Sequence, residues 1–80
     1  MKTLTVSELV KENTVEFVFF RDGEMVYDII DSQGNKVARF PVNVSNKDEV
    51  SNASFERTHK AITLMRYIRK AIKDETIFFY

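Results

Sequence analysis

The chain has 80 residues with twelve basic and twelve acidic side chains, so its formal net charge at pH 7 is zero. Hydrophobic residues make up 44% of it, which is the composition of a folded domain rather than of a disordered segment. It contains no cysteine, which excludes disulfides, thiolate nucleophiles and cysteine zinc sites together. At this length we predict one domain, residues 1–80, with a small core and modest stability.

The amino-terminal residues predict neither export nor membrane insertion. Met1 to Val6 carry one charged side chain and no long apolar stretch, so we do not expect a secretory signal. No apolar run in the chain approaches the roughly 20 residues of a membrane-spanning helix. We therefore expect a cytoplasmic protein that has no membrane partner.

A short helix is predicted next, from about Val6 to Glu12. The run from Thr5 to Glu8 has the spacing of a capping box, in which Thr5 is the N-cap and the Glu8 side chain reaches back to its amide. Two helical turns are unstable alone, so this helix must dock on the rest of the domain. It either covers the outer face of the sheet described below or leaves that face bare.

Three strands follow, at about Val15–Phe20, Met25–Ile30 and Val37–Val42, and we predict that they form an antiparallel meander. Each run is rich in β-branched and aromatic residues, and turn-forming residues separate the runs. Pro41 cannot donate a ladder hydrogen bond, which favours an edge position for the third strand there.

The loop between the first two strands decides which residues share a face, because side chains alternate along a strand. A two-residue turn at Asp22-Gly23 would place Asp28 opposite Phe17, among the aromatic rings. A three-residue loop that begins at Arg21 instead gives an apolar face, and we predict this loop. The pairs expected on that face are Val15 with Ile29, Phe17 with Tyr27, Phe19 with Met25, Ile29 with Ala38, Tyr27 with Phe40, and Met25 with Val42.

The other face of the meander has a different character. There we expect a cross-strand pair between Asp28 and Arg39. Apolar residues surround this pair, and unless the first helix covers them they form a patch suited to a partner or a dimer interface. The members of the patch are Val18, Phe20, Val26, Ile30 and Val37.

One long helix is predicted from about Ala53 to Lys73, packed across the apolar face of the meander. Its apolar residues recur at spacings of three and four, as in a buried stripe. They are Ala61, Leu64, Met65, Ile68, Ala71 and Ile72. The fold class is therefore α+β, with a short amino-terminal helix, a three-stranded antiparallel meander and one long carboxy-terminal helix. The tail, Thr76–Tyr80, either adds a fourth strand to this sheet or pairs with another subunit.

A basic stripe on this helix is the leading candidate for a binding surface. Residues 1–31 carry a net charge of −4 and residues 32–80 a net charge of +4, which predicts an acidic and a basic end. The stripe is either the solvated side of an amphipathic helix or a surface for phosphates or an acidic protein. The partner-binding residues that we predict are Arg66, Arg69, Lys70 and Lys73, with His59 and Ile62 beside them and Phe20 and Val18 on the sheet.

No enzymatic chemistry is predicted. His59 is the only histidine, so the usual zinc ligand sets cannot be built, and Ser45, Ser51 and Ser54 lack a paired histidine. We expect no catalytic residue, no metal and no cofactor. The prediction is a non-enzymatic protein-interaction module, with nucleic-acid binding by the basic stripe as the alternative and a homodimer through the sheet edge or the tail as a further option.

The predicted order of helix, three strands and helix resembles a double-stranded RNA-binding domain over nearly the whole chain. Those domains carry a lysine cluster at the start of the second helix, where this chain has Ala53-Ser54-Phe55-Glu56-Arg57. The same plan, in a chain below a hundred residues, is similar to several phage-encoded inhibitors, including some anti-CRISPR proteins. That resemblance implies a small inhibitor of a host or defence complex.

Overall fold

The structure, a computed structural model, describes residues 5–43 and 58–80. Within them, five strands form one antiparallel sheet in the order β4-β1-β2-β3-β5. The chain order is α1 (Val6–Val10), β1 (Thr14–Arg21), β2 (Glu24–Ile30), β3 (Lys36–Asn43), β4 (Thr58–Lys60), a 3-10 turn (Ala61–Leu64), α2 (Met65–Lys73) and β5 (Phe78–Phe79).

The predicted fold class was wrong in its strand number and in its long helix. Instead of a three-stranded meander under one helix from Ala53 to Lys73, the sheet has five strands and α2 has only nine residues, after a 3-10 turn of four. The segment Thr58–Lys60 pairs with the start of β1. This ladder satisfies backbone groups at the edge of β1 that would have no strand partner there if the segment were helical. The apolar periodicity used for the helix begins only at Ala61, so it never supported a helix before that residue. Residues 53–57 of the predicted helix lie outside the described residues.

The tail adds to the sheet of its own chain. Phe78 and Phe79 pair with Arg39 and Ala38 at the outer edge of β3, and the amide of Tyr80 donates to the carbonyl oxygen of Val37 at 3.1 Å. Of the two alternatives open from the sequence, the pairing within one chain is therefore the one observed.

The first hairpin has a shorter loop than predicted. Arg21 pairs with Glu24 across a two-residue turn whose Asp22 and Gly23 both have positive φ, 49° and 80°. Both central residues of a type I′ turn need such angles, which explains the Asp-Gly sequence. The predicted three-residue loop is wrong.

A β-bulge in β1 supplies the extra residue that the loop does not. The register shifts between Phe17 and Phe19, so Phe17 still lies opposite Tyr27. We had predicted that Phe19 lies opposite Met25. After the bulge it lies opposite Val26 instead, so that prediction is wrong. The predicted register of β2 with β3 is confirmed by the pairs Ile29 with Ala38, Tyr27 with Phe40, Met25 with Val42 and Asp28 with Arg39.

The core lies on one side of the sheet, and both helices pack there. Leu9 of α1 and Ile68 of α2 are fully buried in the same cluster as Tyr27 and Phe40 of the sheet. The capping box of α1 is present, since the amide of Glu8 donates to the Thr5 hydroxyl oxygen at 3.2 Å and the amide of Thr5 donates to the Glu8 carboxylate at 3.2 Å. Because α1 is on the core side, it does not cover the other face, which we call the outer face.

The outer face carries the side chains that alternate with the core residues of the central strands. Val26 and Asp28 alternate with Met25, Tyr27 and Ile29 along β2, so they belong to this face. Their cross-strand partners, Phe19 on β1 and Pro41 and Arg39 on β3, share the face, and Phe78 joins it because it pairs with Arg39.

Candidate binding surfaces

The four basic residues of α2 lie on one side of the helix, which we call the basic helix face. Arg66, Arg69, Lys70 and Lys73 are all exposed. They lie opposite the buried side of α2, which is formed by Tyr67, Ile68 and Ala71. The sequence spacing had predicted that the cations and the apolar residues lie on opposite sides of the helix, and this holds within Met65–Lys73.

One cation of the basic helix face forms an ion pair within the same segment of the chain. The Lys70 ammonium lies 3.2 Å from the Asp74 carboxylate, one helical turn away. Both side chains are largely exposed, so this pair contributes only tenths of a kcal/mol, roughly 0.3–0.5. Among the described residues, Arg69 and Lys73 have no carboxylate within ion-pair distance. These two charges are available to a ligand.

His59 and Ile62 are not on the helix, because the chain is extended or in a 3-10 turn at these positions. His59 is half-buried on β4, where it pairs with Val15 of β1. Ile62 lies in the 3-10 turn with 59% of its side chain exposed. It borders a shallow groove of about 610 Å³ that also touches Val10 and Lys60. Neither residue extends the basic helix face along one helix, contrary to our prediction.

Phe20 and Val18 both lie on β1, where the bulge changes their expected positions. Phe20 lies opposite Met25, a core residue, so it belongs to the core side of the sheet rather than to the outer face as predicted. It is nonetheless 60% exposed, and Val18 is 36% exposed at the bulge. The apolar patch predicted on the outer face therefore does not include Phe20.

The outer face contains a buried carboxylate that the sequence indicated only as half of an ion pair. The side chain of Asp28 is 2% exposed. It accepts hydrogen bonds from Nε of Arg39 at 2.8 Å, from Nη2 of Arg39 at 3.1 Å and from the Tyr80 hydroxyl at 2.9 Å. The Lys36 ammonium lies 3.8 Å away. This network joins β2, β3 and the end of the chain, and we call it the Asp28 network.

The surroundings of the Asp28 network keep its carboxylate ionised. Burial by itself would raise the pKa of Asp28, but the hydrogen bonds from Arg39 and Tyr80, with the positive charges of Arg39 and Lys36, outweigh burial and hold the pKa below its ordinary value of 3.8. Burial and the hydrogen bond to Asp28 raise the pKa of the Tyr80 hydroxyl. At neutral pH the network therefore holds one carboxylate, one guanidinium and a neutral phenol.

Aromatic rings flank the cations of the outer face. The guanidinium of Arg39 lies 5.4 Å from the Phe19 ring centroid and 5.8 Å from that of Tyr80. Arg21 lies over the same Phe19 ring at 5.6 Å. Phe78 meets Tyr80 edge to face at 5.1 Å. The Phe19 ring is thus flanked by guanidinium groups, whereas Phe78 and Tyr80 contact each other and remain 58% and 54% exposed.

Beside this network lies a groove, which we call the outer groove. Its volume is about 340 Å³, near the lower end of ligand-sized pockets. Two guanidinium groups and apolar side chains line it together. The lining includes Arg21, Glu24, Val26, Arg39, Pro41 and Phe78.

The sequence predicted the pair of Asp28 and Arg39. It did not predict the outer groove or the contact of Tyr80 with Asp28. Tyr80 reaches Asp28 only because β5 returns to the edge of β3, a contact between residues 52 apart in sequence. The signal available was the run of strand-forming residues at the end of the chain. That run indicated a strand, but nothing in it specified the edge that the strand joins.

Comparison with known proteins yields no relative: the chain matches no protein-family model, no curated protein and no solved structure. Across residues 5–43 and 58–80, no group of three or more His, Asp or Glu side chains is arranged to hold a metal ion. In the same residues, no helix is long and apolar enough to cross a membrane. The resemblances drawn from the sequence required three strands followed by a long helix, and the observed strand order removes that basis.

Proposed function

We propose that this protein is a non-enzymatic binding module that docks an acidic surface of a partner protein on the basic helix face. The observation that supports this most directly is the position of four exposed cations along one side of a nine-residue helix, opposite its buried residues. A helix anchored through Ile68 and Ala71 presents these charges on a rigid support. Rigid presentation favours binding because little backbone freedom is lost on association.

The balance of charge favours a protein partner over nucleic acid. The chain as a whole is neutral, and its amino-terminal part is acidic. Nucleic-acid-binding domains commonly carry a clear excess of positive charge because phosphate contacts supply much of their affinity. A small basic surface on a neutral domain complements a small acidic surface on a partner protein. Such charge complementarity selects the partner and speeds association.

The test is a pull-down with the tagged protein from a nuclease-treated bacterial lysate, read by mass spectrometry. The variant Arg69→Glu/Lys73→Glu reverses two charges that have no ion-pair partner among the described residues, so it breaks no ion pair described in the fold. The matched control Lys11→Glu/Lys60→Glu makes the same change of charge at exposed positions elsewhere. We expect a partner that wild type and control retain and that the helix variant loses. Retention by all three proteins would refute the proposed surface.

Nucleic-acid binding by the same face is the second candidate, and salt dependence separates it from the first. If Arg66, Arg69, Lys70 and Lys73 each neutralise one phosphate, affinity for double-stranded DNA falls roughly 10²-fold between 50 and 200 mM salt. Fluorescence anisotropy with a labelled duplex measures this directly. Binding with that slope, lost in the variant Arg69→Glu/Lys73→Glu, would replace the protein-partner proposal.

A further inference from the structure

The outer groove has the chemistry of a peptide site, and none of the four cations of the basic helix face is among the described residues that line it. Its charged groups are the guanidinium groups of Arg21 and Arg39 and the carboxylate of Glu24, and Val26, Pro41 and Phe78 supply apolar surface. Phe78 is 58% exposed, although it is a large aromatic side chain. Exposed aromatic surface beside arginine is typical of protein-binding sites.

The two guanidinium groups of the groove differ in whether a ligand can still pair with them. Arg39 directs Nε and Nη2 to Asp28, so most of its charge is compensated within the fold. Arg21 contacts the Phe19 ring and has no carboxylate within ion-pair distance among the described residues. A guanidinium beside an apolar surface binds a carboxylate in a two-point geometry.

We propose that the outer groove binds an extended peptide segment of a partner protein that carries a carboxylate side chain next to an aromatic or aliphatic one. The carboxylate pairs with Arg21, and the apolar side chain packs on Phe78 and Pro41. The volume of about 340 Å³ suits one or two side chains rather than a large cofactor.

Single-stranded nucleic acid fits this groove less well. Binding of that kind needs ring faces on which bases can stack. The Phe19 ring already lies close to two guanidinium groups, and Phe78 and Tyr80 pack edge to face. Glu24 also lines the groove and leaves it little net positive charge. A row of phosphates is disfavoured there, whereas a single carboxylate can lie against Arg21.

The experiment is an NMR titration of the isotope-labelled protein with a blocked tetrapeptide, valine–glutamate–phenylalanine–valine. We expect amide shifts at Val26, Arg39 and Phe78, and binding about fivefold weaker both for the glutamine version of the peptide and for the variant Arg21→Gln. Arg21 is exposed and lies outside the Asp28 network, so this substitution does not threaten folding. The helix variant Arg69→Glu/Lys73→Glu serves as the control and should bind like wild type, which separates this proposal from the proposed function.

Three outcomes would overturn the proposal. The first is equal affinity for the glutamate and glutamine peptides, and the second is a set of shifts confined to α2. The third is the absence of shifts at millimolar peptide. A single-stranded oligonucleotide tested in parallel gives one more decisive result, because shifts of the same amides with a steep salt dependence would assign the groove to nucleic acid instead.

Discussion

Replacing Asp28 with asparagine tests whether the Asp28 network stabilises the domain. The substitution keeps the shape of the side chain and removes its charge, so Arg39 loses its ionic partner. Removing one member of a buried ion pair costs about 3–5 kcal/mol. The Arg39 side chain is 32% exposed, however, and water can solvate it in part. We therefore expect the free energy of unfolding to fall by about 2 kcal/mol.

The assay is urea unfolding at pH 7, followed by far-ultraviolet circular dichroism. The matched control is Asp22→Asn, which removes one carboxylate from the exposed hairpin turn. Asparagine tolerates the positive φ of that position, so the control should change the free energy of unfolding by less than about 0.5 kcal/mol. Equal effects of the two substitutions would refute the role given to Asp28.

The pH dependence supplies an independent check on the same residue. The pKa of Asp28 in the folded protein lies below 3.8, its ordinary value. Its ionised form therefore adds stability that is fully present above that pH and is lost as the pH falls through the folded pKa. The difference between wild type and Asp28→Asn should be constant from about pH 5 to 7 and should shrink below about pH 4. An unchanged difference at low pH would contradict the assigned cause.

Substitutions at three further positions test local features, each by urea unfolding. The Tyr27 hydroxyl is buried without a hydrogen-bond partner among the described residues. Tyr27→Phe should therefore leave the free energy of unfolding unchanged or raise it by up to about 1 kcal/mol. A clear loss of stability would reveal a missed partner. Gly34 has a φ of 85°, and no atom lies within 4 Å of an added Cβ. Gly34→Ala should therefore lower the free energy of unfolding by about 1 kcal/mol through backbone strain alone. Gly34→Asn should lower it by less, because asparagine tolerates a positive φ better. Thr5→Ala removes the N-cap of α1 and should cost about 1 kcal/mol; no loss would show that packing alone holds the helix.

Local patterns in the sequence determined much of the sheet and of the basic helix face. The alternation of apolar residues along β2 and β3 specified the pairing of Tyr27 with Phe40, because a slip of one residue would have exposed the core. The capping box at Thr5 specified where α1 begins. The spacing of the four cations from Arg66 to Lys73 specified that they share one side of α2. Each of these features depends on residues close together in the chain or on one strand pair.

The tertiary structure decided what local patterns left open. An apolar face on the first hairpin requires one extra residue between Phe17 and Tyr27. The fold supplies it as a bulge at Val18 instead of in the loop, because Asp22-Gly23 already forms a tight turn. The extended conformation of Thr58–Lys60 depends on its ladder with β1, a long-range contact that sequence periodicity does not report.

The outer face shows the same division. The sequence determined that Asp28 and Arg39 are cross-strand neighbours, since the register of two adjacent strands follows from their apolar alternation. Only the tertiary structure decided that Tyr80 completes the network and that Arg21 and Phe78 border one groove. Those contacts join the last residues of the chain to β1 and β2, and their positions depend on which sheet edge β5 joins.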